Sequence, residues 1–70
     1  MRCNVTIVGK EKLGKSGYVK LTAVWDGNEA GYNRTGSMIC NLDDMPDCEM
    51  GDVFEAVTYY AGKENRFELI

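Results

Sequence analysis

The chain has 70 residues, 44% of them hydrophobic and 27% charged, with a net charge of −3. That length supports one domain, and the balance of apolar to charged side chains excludes a disordered or low-complexity protein. No stretch approaches the ~20 apolar residues of a membrane span, and the opening MRCNVTIVGKEK lacks a signal-peptide core, so the expected location is the cytoplasm.

Cys3, Val5 and Ile7 alternate with Arg2, Asn4 and Thr6, the period of a strand with one buried face. Gly9 to Gly17 reads as a Lys- and Gly-rich connection. Val19, Leu21, Ala23 and Trp25 then alternate with Lys20 and Thr22, a second strand. Asp26-Gly27 signals a turn, and glycines punctuate a polar loop over 26–36. Ser37 to Asn41 reads as a third strand. Leu42 to Asp52 reads as an acidic loop with room for one helical turn, since Pro46 interrupts any strand there. Val53 to Tyr60, rich in β-branched and aromatic residues, makes a fourth strand, and Arg66 to Ile70 closes the chain as a fifth. No window sustains a helical period. The expectation is one all-β domain over 1–70, a five-stranded antiparallel barrel or curled sheet, OB-like or SH3-like, because closure removes exposed strand edges.

Gly9-Lys10-Glu11-Lys12-Leu13-Gly14-Lys15-Ser16 matches the Walker A pattern. That chemistry needs a helix opening directly behind the loop, so that its N-terminal amides hold phosphate. Here Gly17 follows, and then a strand. The segment is expected to be a hairpin loop. Histidine, the commonest general base, does not occur in the sequence, and no cysteine has an imidazole partner. The chain is therefore expected not to be an enzyme.

The charge is divided. Residues 1–25 carry +4 and residues 26–70 carry −7, with six acids and no base between Asp43 and Glu55. An acidic edge of this kind suits a partner protein with a basic surface. The candidate contacts are Asp43, Asp44, Asp47, Glu49, Asp52 and Glu55, with Tyr32, Tyr59 and Tyr60 as aromatic anchors.

The odd count of three cysteines suggests free thiols or metal ligands rather than a disulfide framework. A chain this short often needs a staple. Cys3, Cys40 and Cys48 with one aspartate, Asp43, Asp44 or Asp47, would complete a tetrahedral structural Zn2+ site. The alternative is that the cysteines are small hydrophobes of the core.

Three functional readings follow. The element order, with Gly14-Lys15-Ser16-Gly17-Tyr18, Leu42-Asp43 and Gly51-Asp52 at its joints, resembles the small OB-type single-strand-binding proteins of phages. That resemblance implies stacking aromatics among Tyr18, Trp25, Tyr32, Tyr59 and Tyr60, and phosphate contacts among Lys10, Lys12, Lys15, Lys20 and Arg34. In length, acidity and want of a catalytic constellation the chain also resembles the small acidic anti-CRISPR and other anti-defence proteins of phages. That resemblance implies an inhibitor of a CRISPR effector nuclease, with the type II-A enzyme as the narrow expectation and the acidic segment lying on a positively charged nucleic-acid channel. The third reading is a small phage structural subunit. Charge favours the inhibitor, because the acids are contiguous and outnumber the bases.

Overall fold

A computed structural model describes residues 1–15, 17–26, 33–44 and 48–70. Five strands form the chain: β1 Arg2–Lys12, β2 Tyr18–Asp26, β3 Asn33–Asn41, β4 Val53–Ala61 and β5 Glu64–Leu69, with a short 3-10 turn, Leu42–Asp44, after β3. They close into a barrel in the order β1-β2-β3-β5-β4. The first three strands are a meander and β4 returns to lie beside β1, which is a Greek key. β5 then fills the gap between β3 and β4. A five-stranded Greek-key barrel of this order is the OB-type arrangement among the two barrels expected.

The expectation of an antiparallel barrel fails at one seam: β3 and β5 run parallel, paired at Ser37 and Arg66. The reason is parity. Strand directions cannot alternate all the way round a ring of five, so a closed barrel of five strands must contain a parallel pair.

β1 is longer than its hydrophobic alternation suggested. Its first half pairs with β4 from Arg2↔Val57 to Thr6↔Val53. Its second half pairs with β2 from Thr6↔Val24 to Lys12↔Val19, with a register shift between Ile7 and Gly9. Val8 is the extra residue, and the bulge bends the strand so that one segment serves two neighbours. Residues 10–12 project beyond the core and are exposed on both faces, so no apolar period marks them as strand. β3 likewise begins at Asn33 rather than at Ser37.

The core is set by the inward side chains. Val5, Ile7, Val19, Leu21, Ala23, Trp25, Cys48, Ala56 and Phe67 are buried together, with Cys3, Met38, Cys40, Phe54 and Leu69 packed around them. The alternations read in β1 and β2 supply the first six of these. Trp25 meets Phe67 edge to face at 5.9 Å, a pairing aromatic quadrupoles favour. Thr58 is the buried polar residue. Its hydroxyl donates to the Met1 carbonyl at 3.1 Å, so it stays satisfied.

The Walker-like segment is strand as far as Lys12, followed by a hairpin turn in which the Leu13 N–H donates to the Tyr18 carbonyl at 3.0 Å. Gly14 and Gly17 take left-handed φ values of 61° and 79°, which the turn requires. No helix opens behind it, because Tyr18 begins β2. Ser16 lies outside the described residues.

Candidate nucleic-acid interface

β2 buries Val19, Leu21, Ala23 and Trp25, and turns Tyr18, Lys20, Thr22 and Val24 outward. The register places Tyr18 beside Asn41, Lys20 beside Ile39, Thr22 beside Ser37 and Val24 beside Thr35. The outer face of β2 and β3 is thus polar, with a cation, an aromatic ring and an apolar residue grouped at one end. Tyr18 is 48% exposed and Ile39 62%. Between Tyr18 and Val24, and between Thr35 and Asn41, there is no carboxylate.

Beside this face the β3–β5 seam opens. The two strands are joined at Ser37 and Arg66 and then diverge. The gap is a groove of about 690 Å³, lined by Leu13, Lys20, Ile39, Tyr59, Arg66 and their neighbours, with Glu64 and Glu68 on its β5 wall. Arg66 Nη2 lies 3.6 Å from Glu64 Oε2, an exposed pair of the kind that is worth little in water. A shallower depression of about 220 Å³ continues from Lys20, Ser37 and Glu64 to Thr35 and Asn65. The hairpin lysines Lys12 and Lys15 stand exposed at the Tyr18 end.

The acidic segment begins at the Tyr18 end of this face, where the Leu42 N–H donates to the Gly17 carbonyl at 2.8 Å, and Glu11 of β1 pairs in register with Lys20. Asp43 and Asp44 sit in the 3-10 turn, and Glu49 and Asp52 in the connection to β4, all exposed. Glu55 is on β4, whose neighbours in the barrel are β1 and β5. Two of these carboxylates have local partners. Asp52 Oδ2 accepts from the Glu49 N–H at 2.9 Å, and Glu55 Oε1 meets Arg2 Nε at 3.1 Å. Asp47 and Tyr32 fall outside the described residues. Tyr59 and Tyr60 are exposed toward the end of β4.

Other candidates sort clearly. Trp25, 6% exposed, belongs to the core and offers no stacking face on the sheet surface. Lys10 donates from Nζ to the Cys48 carbonyl at 3.5 Å, which draws it toward the β3–β4 connection. Arg34 pairs in register with Trp25 at the barrel mouth.

The cysteines divide between two places. Cys3 lies against Thr58, its thiol 3.9 Å from the hydroxyl. Cys40 reaches the Val19 carbonyl at 3.9 Å and Cys48 is buried in the core. Burial, with the nearby Cys48 and Asp44, pushes the Cys40 thiol above its ordinary range. Among the described residues no group of three or more Cys, Asp or Glu side chains is arranged to hold a metal, so Cys3, Cys40, Cys48 and Asp43 are not gathered into one site. No helix among the described residues is long and apolar enough to cross a membrane.

Sequence reasoning identified Tyr18 and Lys20 but missed Ile39, Arg66 and Leu13. For Ile39 a signal exists: it shares the parity of Ser37 and Asn41, so it is an apolar residue on a polar face. Arg66 and Leu13 acquire meaning only when β5 and the hairpin are brought beside β3.

Comparisons of this chain with protein-family models, with curated proteins and with solved structures find no match.

Proposed function

We propose that this protein binds single-stranded nucleic acid across the outer face of β2 and β3 and along the β3–β5 groove. The observation that supports this reading best is the carboxylate-free stretch of both strands, bearing Tyr18, Lys20 and Ile39 and opening onto a groove with Arg66. Single-strand binders of the OB type combine a track of cations with rings on which bases stack. The net charge of −3 counts against this reading, as do Glu64 and Glu68 on the groove wall and Glu11 opposite Lys20. In its favour, the side chains that β2 and β3 themselves turn outward, from Tyr18 to Val24 and from Thr35 to Asn41, include no carboxylate, while the turn bearing Asp43 and Asp44 adjoins the Tyr18 end.

The test is fluorescence anisotropy of a labelled oligothymidylate over a range of salt. The expected result is binding that weakens with salt, at a slope of about −0.7 per phosphate contacted. Unchanged anisotropy at low salt would overturn the reading.

The second reading is a protein that inhibits a CRISPR effector nuclease, type II-A in the narrow form, through its acidic segment. The exposure of Asp43, Asp44 and Glu49 supports it. Its test replaces those three by Asn, Asn and Gln, because Asp52 and Glu55 also hold local structure. Unimpaired capture of a basic effector by that variant would remove the reading.

A further inference from the structure

The barrel has a cavity that neither strand face accounts for. At the end where β2 stops and β3 starts, a mouth of about 250 Å³ opens, lined by Trp25, Asp26, Arg34, Tyr59, Tyr60 and Asn65 among others. It is not isolated. Asn65 also lines the shallow depression over Thr35 and Ser37, and that depression shares Lys20, Ser37 and Glu64 with the large groove. Tyr59 borders both the groove and the mouth. The three hollows thus adjoin in series, through shared lining residues, from the hairpin end at Leu13 to the mouth at Trp25. β2 runs the same way, and its nine residues span about 26 Å at the usual strand rise.

The mouth differs from the track in chemistry. Trp25 lines it, held against Phe67 and so fixed in place before any ligand arrives. Tyr60, 68% exposed, provides a ring at the rim. Arg34 offers donors and a positive charge, Asp26 offers acceptors, and Asn65 is steadied by donating to the Thr35 carbonyl at 3.4 Å. The volume is below the ~300–1,000 Å³ of sites for larger ligands, so it has room for one small planar group. Aromatic walls with mixed donors and acceptors are what a protein uses to take one base out of a stack and hold it.

We infer that the barrel mouth is a pocket for one nucleobase, where a single strand lying in the track ends or turns in, with the base on Tyr60 and Trp25 and the adjoining phosphate on Arg34. This rests on the single-strand-binding reading above. It adds a fixed end to the track, so that bound strands are held in one polarity rather than sliding.

The test uses the intact protein and an oligothymidylate bearing one 5-iodouracil at its 5′ end or, separately, at its 3′ end. Anisotropy reports binding, and light-induced cross-linking followed by peptide mapping reports where the terminal base sits. The expected result is a cross-link to Trp25 or Tyr60 from one end only. Arg34→Ala and Tyr60→Ala, both at exposed positions that leave the core intact, should each weaken binding about tenfold. They should also abolish that cross-link, whereas Tyr18→Ala weakens binding and keeps it. Binding with cross-links confined to Tyr18 or Tyr59, or equal at both ends, overturns the pocket and leaves the single-strand reading standing. No binding at low salt overturns both.

Discussion

The Trp25 ring lies directly over Gly36 on the neighbouring strand. A β-carbon on Gly36 would overlap the Trp25 Cη2 atom and stand 2.7 Å from the Asn65 carbonyl oxygen. The contact ties β2, β3 and the start of β5 together at the barrel mouth, and it explains why a buried strand position carries no side chain.

Gly36→Ala is therefore expected to destabilise the barrel by about 1–3 kcal/mol, lowering Tm by about 4–20 °C. The cost is steric, since Gly36 is not among the residues with positive φ. Gly14→Ala is the contrast. It has open space around it but a φ of 61°, so its cost of about 1 kcal/mol is conformational. Thermal melts of the two variants check the ordering, and equal melts would refute the account of Gly36.

Tyr18→Ala should weaken oligonucleotide binding about 5- to 150-fold, the equivalent of losing about 1–3 kcal/mol from one stacked base. Tm should barely move, because the ring is on the surface. Lys20→Ala should weaken binding and also flatten the salt dependence by about one phosphate contact. Isotherms at several salt concentrations separate the two effects.

Replacing Asp43 and Asp44 by Asn should raise oligonucleotide affinity by about twofold or more at low salt, since their turn adjoins the Tyr18 end of the face and its charge repels phosphate there. A fall in affinity would place the strand over the 3-10 turn instead of the β2–β3 face.

Cys40 has a raised thiol pKa, caused first by burial and then by Cys48 and Asp44. Its folded state binds the proton more tightly than the unfolded chain does. The corresponding stability is present below the ordinary thiol pKa and declines as pH rises through the interval up to the raised value. Urea midpoints measured across alkaline pH should fall less steeply for Cys40→Ser than for the parent. Cys40 should also alkylate more slowly than a free thiol at mildly alkaline pH.

Phe67→Ala should cost about 3–5 kcal/mol, a large share of the ~5–15 kcal/mol available to a domain. Because Phe67 packs against Trp25 in an edge-to-face pair, near-UV circular dichroism of the tryptophan should collapse with it. Phe67→Leu should retain the fold with a reduced signal.

Much of the fold was legible because a strand has a period of two. Val5 and Ile7, and Val19, Leu21, Ala23 and Trp25, are the inward residues of β1 and β2 as their alternation indicated. The hairpin nature of the Walker-like segment was legible too, since Gly17 and an alternating strand follow it. The ends were not. Lys10 to Lys12 and Asn33 to Thr35 carry exposed side chains, so no apolar pattern distinguishes them from loop.

Sequence alone thus determined the side-chain parity of each strand, and with it the core of β1 and β2 and the outward positions of Tyr18 and Lys20. Those are local facts, fixed by backbone geometry. Tertiary structure decided what stands beside what: the bulge at Val8 that lets β1 serve two partners, the parallel seam forced by five strands, the separation of Cys3 from Cys40, and the docking of the acidic turn on Gly17 at the end of the β2–β3 face. Each depends on pairing between residues far apart in the chain, and the free energy of such pairing comes from closing the whole barrel rather than from any segment of it.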